Sequence, residues 1–96
     1  MAVDVKVPTI LRSYTGGAKI VPSAGATLAE VIDDVDSNHS GIKARLVEGE
    51  DLRRFINVYV NDEDVRFTGG LGTSVKDGDT VVILPAVAGG SPTGTP

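Results

Sequence analysis

The stretch Asp77-Gly78-Asp79-Thr80-Val81-Val82-Ile83-Leu84-Pro85-Ala86-Val87-Ala88-Gly89-Gly90 leaves a folding chain few choices. Asp77-Gly78 is a turn signal, because Gly78 accepts a positive φ at little steric cost. Thr80 to Leu84 is apolar and β-branched, and it is the length of a central strand rather than of a stable helix. Pro85 has no N–H for a ladder, so pairing is expected to stop there. Beyond it the side chains dwindle through Ala86, Val87 and Ala88 to Gly89 and Gly90. Such a segment has little to pack with and is slim enough to thread a narrow channel.

From the N-terminus, residues 2–7 alternate Val3, Val5 and Val7 with Ala2, Asp4 and Lys6, the period of a strand with one buried face. Pro8 marks its end, and Ile10 and Leu11 form an apolar pair in the connection. Thr15-Gly16-Gly17 turns the chain into a short strand, Ala18 to Val21, stopped by Pro22. Thr27 and Glu30 have capping-box spacing, and Leu28, Val31, Ile32 and Val35 make one apolar helical stripe. This helix is expected to fray over Ser37 to Ser40 and end before Gly41, with Asp36 unfavourably near its C-terminus. Residues 42–54 read as a helical turn and a surface loop, Glu48-Gly49-Glu50-Asp51. Phe55 to Asn61 reads as a third strand, Asn61-Asp62-Glu63-Asp64 as its turn, and Val65-Arg66-Phe67 as a short edge strand. Strand, strand, helix, strand, short strand, strand is the order of an α+β mixed sheet covered by one helix.

Ninety-six residues make one small domain. The net charge of −4 and the lack of any Lys or Arg run argue against a nucleic-acid surface, and favour basic docking surfaces on partners. There is no cysteine, which excludes disulfides, thiolate metal sites and a cysteine nucleophile. No secretion signal or membrane-length apolar run is present, so the expected location is the cytoplasm.

The Asp77-Gly78-Asp79 turn, the Val81-Val82-Ile83 strand and the Gly89-Gly90 ending resemble the C-terminus of the ThiS and MoaD class of sulfur carriers. With Phe55-Ile56-Asn57-Val58-Tyr59-Val60-Asn61-Asp62-Glu63-Asp64-Val65-Arg66-Phe67 included, the chain is most similar to the carriers of cysteine synthesis. The resemblance covers most of residues 1–90 and implies a β-grasp (ubiquitin-like) fold with an arm at 85–90. It further implies that Gly90, supported by Gly89, carries a thiocarboxylate made by a ThiF- or MoeB-like activating enzyme. ATP is then a substrate of that enzyme, and the chain binds no cofactor itself. The sulfur passes to a biosynthetic synthase, for cysteine or another sulfur-containing metabolite, so the chain is a carrier rather than an enzyme. Glycine suits this chemistry because a Cβ would obstruct enzyme backbone at the reacting carbon.

Ser91-Pro92-Thr93-Gly94-Thr95-Pro96 departs from that pattern by holding the Gly90 carbonyl in a peptide bond. Either a protease, such as a metalloprotease, removes residues 91–96, or they are foreign to the natural chain. Two glycines alone would read as a linker. A ubiquitin-like modifier joined to lysine through Gly90, and a non-covalent interaction domain that does not need Gly90, are the rival readings.

If Val81 and Ile83 face the core, Val82 and Leu84 face outward, and if Ile56, Val58 and Val60 face inward, Phe55 and Tyr59 do not. In a β-grasp these strands are neighbours, so the four outward residues form one docking patch leading to Pro85, Ala86, Val87 and Ala88. Ordinary surface hydrophobicity, or cover by residues 46–54, reads equally well from pattern alone. Arg53 and Arg54 are further docking candidates. The one histidine, His39, reads as a solvated residue at a helix end. Asp33-Asp34-Asp36 and Asp62-Glu63-Asp64 match no calcium loop and read as solvated acidic faces, so no metal site is expected. No P-loop or Gly-x-Gly-x-x-Gly motif is present.

Overall fold

The computed structural model describes residues 2–49, 51–54 and 56–85. Strand β1 (Ala2–Lys6) alternates exposed and buried residues as its period requires. A 3-10 helix over Thr9–Thr15 follows Pro8 and buries Leu11, so the apolar pair is divided between the core and an exposed Ile10. Strand β2 is Ile20–Ala24 and runs through Pro22 instead of stopping there. It lies at the edge of the sheet with a neighbour on one side, where a missing N–H need not break a second ladder.

Helix α1 (Leu28–Asn38) buries Leu28, Val31, Ile32 and Val35, the stripe read from the sequence. The Thr27 hydroxyl accepts from the Glu30 amide at 3.3 Å, and the Glu30 carboxylate accepts from the Ala26 amide at 2.8 Å. The Glu arm of the capping box therefore reaches one residue further back than the usual cap. Asp36, expected to be unfavourable, accepts from the amides of Gly41 and Lys43 at 3.0 and 3.1 Å. It thus satisfies donors at the start of α2 (Ile42–Leu46), where negative charge is favoured.

The segment read as a loop folds into a small hairpin, β3 (Val47–Glu48) against β4 (Asp51–Leu52), with Gly49 at φ 66°. Strand β5 (Ile56–Val60) ends in a two-residue turn, with Asn61 at φ 50° and Asp62 at φ 71°. Positive φ at both positions is the type I′ geometry that matches strand twist. The partner strand β6 is therefore Glu63–Asp64, immediately after the turn. Val65–Phe67, expected as the edge strand, is a 3-10 helix because the Asp64 carboxylate accepts from the Arg66 amide at 2.9 Å and bends the chain. The closing strand β7 (Thr80–Pro85) pairs as far as Pro85, opposite Ile56.

The five-stranded sheet has the order β2-β1-β7-β5-β6, with β1 and β7 parallel and the other pairs antiparallel. The two chain-terminal strands are thus central neighbours. Val3, Val5, Val21, Val58, Val81 and Ile83 form the inner face and share one core with α1, Ile42, Leu46, Val65 and Val75. Mixed sheet, one main covering helix and central closing strand are the β-grasp arrangement. No helix among the described residues is long and apolar enough to cross a membrane.

Candidate functional site

β7 has one role inside the sheet and another at its end. Val81 and Ile83 are buried at 1% and 3% exposure, while Val82 is half-buried and Leu84 is 46% exposed on the opposite face. Ile56, Val58 and Val60 point inward and Tyr59 outward, half-buried. Both strand faces are therefore oriented as the alternation required. Val82 stands opposite Tyr59, and Leu84 opposite Asn57. The Val82 row continues across the sheet through Lys6 to Ile20, which is 51% exposed. Of residues 46–54, Leu46 lies in the core and Val47 and Leu52 pack against it.

Within the patch, Asn57 Oδ1 is closed off from solvent and accepts no hydrogen bond among the described residues. An unpaired buried acceptor costs about 1–3 kcal/mol. The same period of two that selected Tyr59 would have placed Asn57 on this face. Its lack of a partner depends on tertiary neighbours and has no sequence signal.

Pro85, exposed at the end of β7, lies beside Ile56 at the start of β5. Arg53 and Arg54 come just before Ile56 in the chain and share a groove with Pro85. A groove of about 560 Å³ opens here, lined by Ile10, Tyr14, Arg45, Arg53, Arg54 and Pro85 among others. Arg45 donates from Nε to the Tyr14 hydroxyl at 2.7 Å, and its guanidinium carbon lies 5.9 Å from the ring centroid. The hydrogen bond to Tyr14 holds the Arg45 pKa above its ordinary value. Arg53 donates from Nε to the Ala44 carbonyl at 2.8 Å, and its Nη1 lies 4.0 Å from Glu48. Tyr14 and Arg45 are 31 positions apart, and only the fold reveals their pairing.

At the opposite end of β7, Asn61 donates from Nδ2 to Asp79 at 2.8 Å and accepts from the Thr80 amide at 3.0 Å. Asp79 also accepts from the Lys76 amide at 2.8 Å. The hydrogen bond from Asn61 first, then that from Lys76, holds the Asp79 carboxyl below the usual carboxylate range. The acidic clusters prove to be partly structural. Asp34 accepts from the Ser23 hydroxyl at 2.9 Å and the Ala24 amide at 3.1 Å, Asp33 pairs with Lys43, and Asp62 sits in the β5–β6 turn. His39 closes α1 through its backbone amide, which donates to Val35 at 2.8 Å. Among the described residues, no three His, Cys, Asp or Glu side chains group as metal ligands.

The candidates Phe55, Ala86, Val87, Ala88, Gly89 and Gly90, and the segment 91–96, lie outside the described residues. Tyr59, Val82 and Leu84 come together on one face, and Pro85 borders the arginine groove.

Comparison with known proteins covers this whole arrangement. The ThiS family matches residues 5–90. The sulfur carrier protein CysO of Mycobacterium tuberculosis is 58% identical over 93 residues, spanning 94% of this chain and 100% of its own. The Amycolatopsis orientalis BexX/CysO complex contains a chain that superposes with a TM-score of 0.88 at 70% identity, covering 92% of this chain and 99% of that one. The small archaeal modifier protein 1 of Methanosarcina acetivorans superposes with a TM-score of 0.80 at 30% identity, covering 93% and 96%. A β-grasp sheet whose central strand leads directly to a Gly-Gly pair, matched over nearly its full length by CysO, places the chain in the ThiS family of sulfur carriers.

Proposed function

We propose that the chain works as the sulfur-bearing co-substrate of partner enzymes, with Gly90 as the attachment point. Residues 1–90 act as the unit, and hydrolysis of the Gly90–Ser91 bond, by a metalloprotease or similar enzyme, frees the reacting carboxylate. A ThiF- or MoeB-like enzyme then binds ATP, and a Gly90 carboxylate oxygen attacks the α-phosphorus with departure of pyrophosphate. Hydrosulfide attacks the carbonyl carbon of the acyl-adenylate, AMP leaves, and a thiocarboxylate remains. Splitting the transfer through an activated acyl group replaces one difficult step with easier ones. On a synthase, the thiocarboxylate sulfur next attacks an electrophilic carbon of the acceptor and displaces that carbon's leaving group. Hydrolysis of the resulting thioester releases the sulfur-containing product and restores the carboxylate. The cytoplasm, with its ATP, is the setting this sequence of steps requires.

The observation that carries the proposal is the relation of β7 to its two faces. The strand is anchored by Val81 and Ile83 on one side and presents Val82 and Leu84 on the other, five residues before Gly90 at its end. An enzyme can hold the patch as a rigid handle while it takes residues 86–90 into its active site. The BexX/CysO complex supports docking on a partner protein, since BexX is seen there with a CysO chain 70% identical to this one.

The likeness to an archaeal modifier protein supports a second reading, transfer of Gly90 to a lysine amine. Intact mass separates the two. A chain ending at Gly90, given an activating enzyme, ATP and hydrosulfide, should exchange one oxygen for sulfur. A covalent protein adduct without the sulfur form would favour modification instead.

A further inference from the structure

The groove beside Pro85 is opposite in sign to the chain that carries it. The chain has nine Lys and Arg against thirteen Asp and Glu, yet Arg45, Arg53 and Arg54 share this one groove, with Glu48 the acidic residue in its lining among the described residues. Two of the three guanidinium groups are fixed through Nε, Arg45 by the Tyr14 hydroxyl and Arg53 by the Ala44 carbonyl. Bonding at Nε sets the plane of each group and leaves its terminal nitrogens as a fork suited to a carboxylate. The Arg53–Glu48 contact, at 4.0 Å between exposed side chains, is a weak competitor for that fork. Ile10, 63% exposed, adds an apolar contact at the groove.

We propose that this groove docks an acidic segment of the enzyme that receives residues 86–90, through carboxylates of Asp or Glu. Chain length keeps the partner close. Five residues reach at most about 18 Å when fully extended. An enzyme that holds Gly90 in its active site therefore has that site within about 18 Å of Pro85, which borders the groove. The negative net charge attracts basic partners generally, and the arginine groove sets the orientation by requiring an acidic segment at this one place. The proposal rests on the reading of Gly90 as the delivered end. It adds a charged positioning contact distinct from the apolar face of Val82, Leu84 and Tyr59.

The test uses the full 96-residue chain and Amycolatopsis orientalis BexX as the probe, with affinity measured over a series of salt concentrations. The R45Q/R53Q variant should bind about tenfold more weakly and with a shallower salt dependence. R45K/R53K should recover part of the loss, because it restores charge without the planar fork. Melting curves check that each variant folds. R54Q, which removes none of the Nε bonds described, gives a second reading should the double variant unfold, and it should weaken binding in the same direction. Unchanged affinity and salt dependence in the folded variants would overturn the proposal. So would inorganic phosphate that fills the wild-type groove without competing with BexX, since the groove would then be a small-anion site. Failure of the wild-type chain ending at Gly90 to gain sulfur would instead count against the Gly90 reading, and leaves the wild-type and variant affinities directly comparable.

Discussion

Asn61 and Asp79 are joined by a 2.8 Å hydrogen bond that fastens the β5–β6 turn to the start of β7. Asn61 makes this bond while holding φ 50°, a backbone state that asparagine tolerates better than most residues. The closing strand is thereby tied at the end opposite Pro85, and Asp77 adds a second tie by accepting from the Ala2 amide at 2.8 Å.

The Asp79 carboxyl is held below its ordinary value in the folded chain, which sets the sign of its pH effect. Its contribution to stability is fully present above the unfolded carboxylate pKa, about 4, and is lost as pH falls through the lower folded value. Asp79→Asn cannot titrate. Thermal melts from neutral to acidic pH should therefore show a smaller acid-induced loss in the variant than in the wild type. Parallel acid limbs would show that Asp79 does not report the fold in this way.

The two faces of β7 should respond differently to substitution. Leu84→Asp places charge on an exposed position and should change stability by no more than about 0.5–1 kcal/mol. Its binding to an activating enzyme or synthase should fall by about 2 kcal/mol or more, the scale of a central contact in an interface. Ile83→Ala, one residue away and buried, should cost about 2–5 kcal/mol of stability. Denaturant melts and binding isotherms on both variants check the contrast, which fails if Leu84→Asp unfolds the chain and leaves binding intact.

Gly25 carries a constraint of another kind. A Cβ there would meet the Val31 amide nitrogen at 2.8 Å and Glu30 Cβ at 2.9 Å. The nearest of these atoms is backbone in the first turns of α1, which has little room to move. Gly25→Ala should therefore destabilise the fold by about 1–3 kcal/mol, as overpacking does. A thermal midpoint equal to or above the wild type would contradict the close approach.

How much of this could be read in advance depended on whether the signal was local. The stripe of α1 and both faces of β5 and β7 follow from period alone, because each side chain's direction is fixed by its own backbone. The strand through Pro22 did not, since a proline is tolerated only because β2 lies at the edge. Val65–Phe67 departs from the expected edge strand because Glu63 and Asp64 already form the strand and the Asp64 side chain then turns the chain. The favourable place of Asp36 at the end of α1 has no local signal, because the amides it accepts from belong to the start of the next helix. The patch of Val82, Leu84 and Tyr59 was legible once the two strands were neighbours, whereas Arg45 entered the groove only through its tertiary contact with Tyr14.

The central claim is that sulfur is carried on the freed carboxylate of Gly90. The most direct measurement is intact mass after incubating the chain with an activating enzyme, ATP and hydrosulfide, once as residues 1–96 and once ending at Gly90. A Gly90–Ser91 peptide carbonyl lacks the nucleophilic oxygen that attacks ATP. The account predicts sulfur in place of one oxygen on the shorter chain alone, and on the longer chain only after a protease has removed residues 91–96. Sulfur on the unprocessed 96-residue chain, or none on the chain ending at Gly90, would contradict it.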